Sequence, residues 1–271
     1  MQDKLMMQVA EQYNYFQSTL EKFQKPQKYL NYGYSFAKKE SYEKRQEQLC
    51  REVFRLARLQ PQDIIVDVGF GSGEQDFLLA SLYPFSKLHG FNIAEKQVEY
   101  ANHRAVLENL NDRMVFHQAP AEDMSMLTDD SVDKIIAIEC AFHFDRPLFY
   151  QEAARLLRKE GLLVLADVCF IDRLRFLTKR KRDLQYVGTM TTNRMAWEEY
   201  FQTVELININ KQTWRGAQQA AYYIALNLFK IKTHTFGEWR TWASLAITSQ
   251  MVAIGLLTRL LSYDFIVLKK K

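Results

Sequence analysis

One stretch decides the fold: Ile64-Ile65-Val66-Asp67-Val68-Gly69-Phe70-Gly71-Ser72-Gly73-Glu74, an apolar run followed by three alternating glycines. A β-branched run of this length is typical of a strand buried in a parallel sheet. Glycine at every second position lets the backbone approach a ligand where a Cβ atom would collide. A tight strand-to-helix turn without a ligand explains any single glycine of this kind, but three in alternation predict a loop that holds a nucleoside.

The spacing of the glycines separates two kinds of nucleotide-binding loop. A dinucleotide-binding loop has its third glycine at the position held here by Glu74, and it serves a pyrophosphate. In this chain the third glycine is Gly73, one residue earlier, and Asp67 precedes the loop on the strand. The loop therefore suits a cationic nucleoside without phosphate. It resembles motif I of the class I S-adenosylmethionine-dependent methyltransferases, which implies that S-adenosylmethionine is bound by Asp67, Gly69, Gly71 and Gly73.

Segments typical of strands alternate with segments typical of helices, which predicts parallel strands joined by helical crossovers. We predict an α/β fold, namely a Rossmann-like, seven-stranded, mainly parallel sheet with helices on both faces, an N-terminal helical cover and an α-helical lid insertion. The predicted strands are 64–68, 87–91, 114–118, 134–138, 162–168, 204–210 and 264–268. The predicted helices include 94–107, 148–158, 192–201, 217–229 and 239–261. Ligands of such sheets bind at the carboxyl ends of the strands, where the strand order reverses.

The same pattern divides the chain into four segments. In order, they are a helical cover, the cofactor-binding α/β core, the lid and a closing strand of the core, at residues 1–60, 61–213, 214–261 and 262–271. The lid is not needed to complete the sheet, so we expect it to roof the pocket of the methyl acceptor. Its longest apolar run, 244–257, is shorter than the roughly 20 residues that a membrane span needs.

Composition and charge exclude several classes of protein. The chain has 271 residues, of which 48% are hydrophobic and 25% charged, as expected of a globular enzyme and not of a disordered or fibrous chain. A net charge of +4 is too small for a nucleic-acid-binding surface, so no nucleic-acid partner is expected. The three cysteines predict neither a metal site nor a disulfide framework. Because the first residues carry no signal-peptide pattern, we expect a cytoplasmic protein.

A second motif narrows the resemblance to one group of these methyltransferases. The segment Leu88-His89-Gly90-Phe91-Asn92-Ile93-Ala94-Glu95-Lys96-Gln97-Val98 resembles the second-strand signature of enzymes that modify small molecules. The group includes natural-product O-methyltransferases, sarcosine-type N-methyltransferases, sterol C-methyltransferases and cyclopropane fatty acid synthases. By this match, Asn92 and Gln97 bind the ribose or the methionine portion of the cofactor. The alternative for Asn92 is the N-cap of the following helix.

Two further matches follow the third and fourth strands. The segment after the third strand places the backbone of Ala121 and the side chain of Glu122 at the edge of the adenine, although Glu122 is also suited to cap the next helix. The segment after the fourth strand begins with Glu139, and the family places it between cofactor and acceptor. Many relatives carry two adjacent histidines there, whereas this chain has Phe142 and then His143. We expect Glu139 to contact the cofactor and Phe142 to contact the acceptor.

His143 is the residue that we expect to accept a proton from the methyl acceptor. An unperturbed imidazole has a pKa of about 6.5 and accepts protons readily near neutral pH. Asp167 ends the fifth predicted strand at the same edge of the sheet and is predicted to orient the imidazole. The alternative is a core histidine bonded to the backbone, with Asp167 as a helix cap.

Aromatic residues near the N-terminus and in the lid complete the predicted site. The segment around Tyr32 and Tyr34 resembles one in which a tyrosine before a glycine reaches the cofactor carboxylate or the acceptor. We therefore assign Tyr32 to the cofactor and Tyr34 to the acceptor. Tyr222 and Tyr223 of the lid are also predicted to contact the acceptor, which their aromatic rings suggest is a hydrophobic small molecule.

The basic run at residues 173–182 has three interpretations. It is suited to be a solvated helix face, a contact with an anionic membrane surface, or a site for a phosphate or carboxylate on the substrate. Leu174, Phe176 and Leu177 lie between the charges, which keeps the membrane surface among the options.

The resemblance implies methyl transfer by in-line attack of an oxygen, nitrogen or electron-rich carbon on the sulfonium methyl, most simply in natural-product biosynthesis. The protein then aligns the reacting atoms, excludes water and removes a proton, without a metal ion. One alternative is a cyclopropane-synthase-like enzyme that modifies lipids, although such enzymes place a glutamate where this chain has Phe142. Another is a non-catalytic S-adenosylmethionine-binding protein that acts through its basic segment and its lid.

Overall fold

The computed structural model describes residues 2–20, 28–180, 186–230 and 236–271. Parts of the predicted cover, basic run and lid, at 21–27, 181–185 and 231–235, lie outside the described residues. Within the described residues, seven strands form one sheet: β1 (Ile64–Val68), β2 (Lys87–Asn92), β3 (Met114–Gln118), β4 (Val132–Ile138), β5 (Leu157–Phe170), β6 (Phe201–Asn208) and β7 (Leu261–Lys270).

The order of the strands is β3-β2-β1-β4-β5-β7-β6. Strands β1 to β5 pair in parallel, and β7 pairs antiparallel with both β5 and β6. The strand order reverses between β1 and β4, so the loops that follow these two strands separate there and leave a crevice. The predicted Rossmann-like, mainly parallel sheet is confirmed.

Helices cover both faces of this sheet. Their bounds are α1 (Gln2–Leu20), α2 (Tyr42–Ala57), α3 (Glu74–Leu82), α4 (Glu95–Leu107), α5 (Arg146–Leu156), α6 (Arg175–Arg180), α7 (Met190–Glu198), α8 (Asn210–Lys230) and α9 (Phe236–Leu257). Side chains of α2, α3 and α4 pack with Ile65 of β1 in one hydrophobic cluster. Side chains of α5 and α7 pack with Val66 and Val68 in another. Neighbouring residues of β1 thus point to opposite faces, as strand geometry requires.

The strands and helices differ from the predicted bounds mainly after the fifth strand. β5 is longer than predicted because it pairs with β7 up to Phe170 at its C-terminal end and with Val132 of β4 at Leu157, its N-terminal end. α8 begins at Asn210, inside the predicted core segment, because the Asn210 side chain accepts from the Tyr263 amide at 2.7 Å and donates to the Leu261 carbonyl at 2.8 Å. These bonds fix the start of α8 to β7. The division of the chain into cover, core, lid and closing strand stays a prediction.

Three helices from the two ends of the chain meet above the carboxyl edge of the sheet. Phe16 of α1 packs with Ile224 and Leu228 of α8 and with Trp242 of α9. The Phe16 and Trp242 rings are 5.1 Å apart, centroid to centroid. α1 also contacts α4, where Asn14 Oδ1 accepts from the Lys96 amide at 3.1 Å. These contacts place one side of α1 over the crevice.

None of the described helices is long and apolar enough to cross a membrane.

Candidate active site

A cavity of about 1010 Å³, its open mouth included, lies in this crevice. The loops after β1, β2, β3 and β4 form its floor, and Met6, Val9 and Tyr13 of α1 close it from above. It brings together eight of the predicted site residues: Gly69, Gly71, Asn92, Gln97, Ala121, Glu122, Glu139 and His143. Among the described residues, its lining does not include Tyr32, Tyr34, Asp67, Gly73, Phe142, Asp167, Tyr222 or Tyr223.

The three glycines of the loop adopt left-handed backbone conformations, with φ of +66° at Gly69, +61° at Gly71 and +80° at Gly73. A Cβ atom at Gly69 would lie 2.5 Å from the Cβ of Cys140, so this glycine allows the loops after β1 and β4 to touch. Gly71 faces the cavity. Gly73 is the N-cap of α3 and packs against α4. Each glycine thus has its own role, and Gly71 is the one that leaves space for a ligand.

Asp67 lies beneath the glycine loop. Its Oδ2 accepts from Gln75 Nε2 at 2.5 Å, and Gln75 lines the cavity. Burial raises the pKa of Asp67 to about 7, and burial next to Asp67 raises the pKa of Asp76 well above its usual value. The two carboxyl groups therefore hold a proton between them near neutral pH. Asp67 orients Gln75 from below, and a direct contact of Asp67 with the cofactor stays a prediction.

Asn92 and Gln97 form a hydrogen-bonded pair at the end of β2. Asn92 Nδ2 donates to Gln97 Oε1 at 2.8 Å, and Asn92 Oδ1 accepts from the Ala94 amide at 3.1 Å. The second bond stabilises the turn into α4, whose N-cap residue is Ala94, so Asn92 is not the N-cap that we considered as the alternative. Gln97 Nε2 is buried and has no hydrogen-bond partner among the described residues. It is therefore free to donate to a ligand oxygen in the cavity.

Glu122 connects two of the loops that form the floor. Its Oε1 accepts from the amide of Asp145 at 2.8 Å, and Asp145 is the N-cap residue of α5. Burial raises the pKa of Glu122. This bond joins the loop after β3, whose Ala121 lines the cavity, to the start of α5.

Glu139 joins three segments of the chain at the centre of the site. Its backbone is left-handed, with φ of +50°. Its Oε1 accepts from the Tyr32 amide at 2.6 Å and from the Tyr263 hydroxyl at 2.5 Å. Burial raises the pKa of Glu139 to about 8 although both bonds favour the carboxylate. The Tyr32 hydroxyl bonds with Ser249 of α9, so its expected contact with the cofactor stays a prediction.

His143 bonds with a residue that the sequence did not indicate. Its Nε2 is 3.0 Å from the hydroxyl of Tyr13, and the two rings meet edge to face. Burial lowers the pKa of His143 to about 4, so the imidazole is neutral at neutral pH. Burial also raises the pKa of Tyr13, so the phenol stays protonated. Both groups are therefore neutral, and the Tyr13 hydroxyl donates to Nε2 when the imidazole carries its proton on Nδ1.

The predicted pair of His143 and Asp167 is wrong. Asp167 Oδ2 lies 2.7 Å from Arg146 Nη1, and both side chains are buried. Burial opposes the charge of Arg146, but the carboxylate of Asp167 outweighs it and raises the pKa of the guanidinium. Arg146 Nε also donates to the carbonyl of Tyr186 at 2.7 Å, and Tyr186 lines the cavity. Asp167 therefore neutralises the charge of Arg146, because a buried guanidinium without a counter-charge is very unfavourable.

Replacing Asp167 with asparagine is expected to lower the free energy of unfolding by about 3 kcal/mol, because the guanidinium of Arg146 would stay buried without a counter-charge. Unfolding in urea measures the change. Asp129→Asn is the matched control, because Asp129 pairs with Arg155 but is 70% exposed. This control should change the free energy by less than about 1 kcal/mol. Equal changes in the two variants would contradict the role of Asp167 as the partner of Arg146.

A family model described as a methyltransferase domain matches residues 59–227, which include β1 to β6 and most of α8. The chain belongs to the class I S-adenosylmethionine-dependent methyltransferases. The glycine loop, the strand order and the crevice at the reversal point all lie within the matched part of this methyltransferase.

Two curated relatives are named as methyltransferases of erythromycin and of 27-O-demethylrifamycin SV. The chain is 28% identical to erythromycin 3''-O-methyltransferase of Saccharopolyspora erythraea over 53% of its own length and 47% of that protein. It is 30% identical to 27-O-demethylrifamycin SV methyltransferase of Amycolatopsis mediterranei over 63% of its own length and 62% of that protein. The matched part of the chain spans about half the length of the curated relatives.

A solved structure agrees with the fold over nearly the whole chain. The cyclopropane synthase MmaA2 from Mycobacterium tuberculosis has a TM-score of 0.77 with this methyltransferase, and the match covers 93% of both chains. At 14% identity, this likeness concerns the fold alone.

The residues around the cavity fit S-adenosylmethionine, the cofactor of this family. Gly71 leaves open the space that a Cβ atom would occupy, and Gln97 Nε2 is a buried donor without a protein partner among the described residues. A neutral amide pair at the end of β2 suits the two hydroxyls of a ribose. The carboxyl groups of half-buried Glu122 and buried Glu139 line the same cavity, where a cationic ligand would favour their ionised forms. Among the described residues, no cluster of three or more acidic, histidine or cysteine side chains could hold a metal ion.

Four residues assigned to the acceptor lie elsewhere. The Tyr34 ring packs at a tilt against Phe265, 5.3 Å between centroids, and the Tyr222 side chain is 65% exposed. Tyr223 packs in the cluster of α1, α8 and α9, and Phe142 packs against the hydrophobic core beside His143. Tyr34 and Tyr222 do not line the cavity, and their contact with the acceptor stays a prediction. Aromatic composition does not reveal in which direction a ring points.

Sequence reasoning missed the residues that close the cavity from α1, above all Tyr13. The sequence Tyr13-Asn14-Tyr15-Phe16 has an aromatic density that predicts a buried helix face. Nothing local indicates that this face meets His143, which is 130 residues away. Arg146 and Tyr186 were missed for the same reason, because their contact joins distant segments.

Proposed function

We propose that the protein transfers a methyl group from S-adenosylmethionine to a hydrophobic small molecule, in natural-product biosynthesis. The observation that carries the proposal is one continuous cavity that runs from the glycine loop to a neutral, enclosed histidine. The lining near α1 is apolar, with Met6 and Val9 beside the ring of Tyr13. The named activities of the two curated relatives support the same substrate class.

The donor supplies a methyl group already activated on a sulfonium, so the residues of this chain need only align the acceptor, exclude water and remove one proton. Tyr13 and His143 are suited to the last task. As the acceptor loses its proton to the oxygen of Tyr13, the phenol proton passes to His143 Nε2, 3.0 Å away. The imidazole is neutral beforehand because burial lowers its pKa to about 4. The relay applies to a hydroxyl or a protonated amine.

The helices α1, α8 and α9 would act as the roof over the acceptor. Support for this role comes from the packing of Phe16 with Ile224 and Trp242, which holds α1 against the other two helices. The Ser249 hydroxyl of α9 bonds with Tyr32, whose amide in turn bonds with Glu139. Movement of α9 would therefore shift Tyr32 and, through its amide, the side chain of Glu139.

The cyclopropane-synthase-like alternative is disfavoured by Phe142. This side chain packs against the hydrophobic core, where such enzymes have a glutamate. A non-catalytic binding protein would not need the hydrogen-bonded pair of Tyr13 and His143 to remove a proton.

The experiment that tests the function is release of S-adenosylhomocysteine with a panel of hydroxylated macrolides, terpenoids, alkaloids and unsaturated lipids. Mass spectrometry of the product then identifies the methylated atom. We expect turnover with an apolar hydroxylated or aminated member. Binding of S-adenosylmethionine without turnover on any member would favour the non-catalytic alternative, and a product with a methylene bridge would favour the cyclopropane-synthase-like one.

A further inference from the structure

Helix α9 has a second apolar side that faces away from the site. Four side chains on this side are well exposed: Ile247 at 61%, Met251 at 65%, Ile254 at 50% and Leu257 at 59%. Their spacing of four, three and three residues places them along one face of the helix. The opposite face carries Trp242, Ala253 and Leu256, which are buried. Both sides of α9 are therefore apolar, and only one has a partner among the described residues.

The apolar surface continues beyond the end of α9. Leu260 is 45% exposed, and Phe176 of α6 is 52% exposed. The two segments lie side by side because Phe170 pairs with Leu261 and the Ile171 amide donates to the Leu260 carbonyl at 3.3 Å. We call Ile247, Met251, Ile254, Leu257 and Leu260 the outer stripe. A contiguous exposed surface of this kind on a globular protein usually marks an interaction site.

Positive charges border the outer stripe at both ends. Arg240 lies two turns before Ile247 on the same face of α9, and Arg259 lies between Leu257 and Leu260. Arg173 and Arg175 are exposed on the segment that leaves β5. Among the described residues, no carboxylate forms an ion pair with any of these four arginines.

Among the described side chains, the acidic residue next to these arginines is Asp172. Its Oδ2 accepts a hydrogen bond from the Thr191 hydroxyl at 2.8 Å. Arg175 contributes to the lowered pKa of Asp172, after the hydrogen bonds from Thr189 and Thr191. Among the described side chains around the outer stripe, the four arginines therefore outnumber this carboxylate.

The positions of the arginines distinguish between two possible partners of the outer stripe, a second copy of the chain and a lipid surface. In a two-fold dimer the same surface meets itself, so an arginine from one end would approach an arginine of the other copy. An anionic lipid surface instead offers negative charge at every point and an apolar layer beneath it. We propose that the outer stripe docks on an anionic lipid surface, with α9 lying in the plane of the interface. Docking does not depend on methyl transfer.

Vesicle sedimentation with the full chain tests the proposal, using phosphatidylcholine alone or mixed with phosphatidylglycerol. We expect binding to the mixed vesicles that falls as salt is raised. Ile247→Ser with Ile254→Ser should lower the partition coefficient about tenfold, through loss of buried apolar surface. Arg240→Ser with Arg259→Ser should lower it about tenfold, through loss of attraction to the anionic headgroups.

Two matched double variants control for general effects. Val106→Ser with Leu107→Ser removes exposed aliphatic side chains at the end of α4, which are 58% and 67% exposed. Lys38→Ser with Lys39→Ser removes two exposed charges far from α9 in sequence. Both should bind vesicles like the wild type, and thermal unfolding confirms that each variant is folded.

Three outcomes would overturn the proposal. They are no binding to the mixed vesicles, equal binding to phosphatidylcholine alone, or equal losses in the control variants. Light scattering in solution tests a fourth outcome that would overturn the proposal. A dimer that Ile247→Ser with Ile254→Ser converts to a monomer would assign the outer stripe to a second copy of the chain.

Discussion

Replacing Gly71 with valine is expected to weaken the binding of S-adenosylmethionine by about 10- to 100-fold, since overpacking a close contact costs about 1–3 kcal/mol. A Cβ atom at Gly71 would already lie 3.3 Å from Cδ1 of Leu30, so the rest of the side chain has room only toward the cavity. It would occupy the space that a ligand needs. Titration calorimetry with the cofactor measures the loss.

The control must separate this steric effect from backbone strain, because Gly71 has a φ of +61°. Asn109 is exposed and also left-handed, with φ of +55°. Asn109→Val therefore introduces the same strain, of order 1–3 kcal/mol, away from the cavity. It should lower the stability of the protein and keep the affinity. Unchanged affinity in a folded Gly71→Val variant would contradict the assignment of the loop to the cofactor.

Replacing His143 with alanine is expected to lower turnover by about 10²- to 10⁴-fold, the usual effect of removing a general base, if the acceptor is a hydroxyl or a protonated amine. The affinity for the cofactor should change little. Tyr13→Phe should lower turnover as well, because the phenol hydroxyl that bonds with the imidazole is lost. Steady-state kinetics on the identified acceptor measures both effects.

His103→Ala is the matched control, because His103 is exposed on α4 and away from the cavity. It should turn over like the wild type. Turnover of His143→Ala within a few-fold of the wild type would mean that the histidine is not the proton acceptor.

The pH profile gives a separate check on the histidine. Burial lowers the pKa of His143 to about 4, so the folded protein keeps the imidazole neutral as the pH falls through the ordinary histidine value. From the sequence alone, an acid limb of the rate is expected near that ordinary value of about 6.5. From the structure, the limb that belongs to His143 should lie well below it. A limb near 6.5 that disappears in His143→Ala would mean that the imidazole is more solvated than its surroundings indicate.

The central strands were predictable because each is decided by local sequence. β1 and β3 begin and end at the predicted residues, since a β-branched or apolar run bounded by turn residues defines both ends. β5 was predicted too short at its C-terminal end because Cys169 and Phe170 pair with β7, about a hundred residues later. Local periodicity carries no information about such a partner.

The cofactor side of the site was predictable for a related reason. The glycines of the loop and the pair of Asn92 and Gln97 each lie within a few residues of a strand end, so their sequence order fixes their position at the edge. The acceptor side is built by side chains that come from distant parts of the chain. Tyr13 contacts His143 because α1 packs over the carboxyl edge of the sheet. Asp167 pairs with Arg146 because a buried guanidinium requires a carboxylate.

The position of β7 between β5 and β6 has a consequence for biosynthesis. β7 leaves the ribosome after the other six strands, yet it lies inside the sheet. Until it inserts, β5 and β6 each have an unpaired edge, and Glu139 lacks the hydroxyl of Tyr263. A nascent or prematurely terminated chain therefore exposes open strand edges, which favour aggregation. The hydrogen bond from Tyr263 to Glu139 at the floor of the cavity therefore forms only after residues 261–270 have been synthesised.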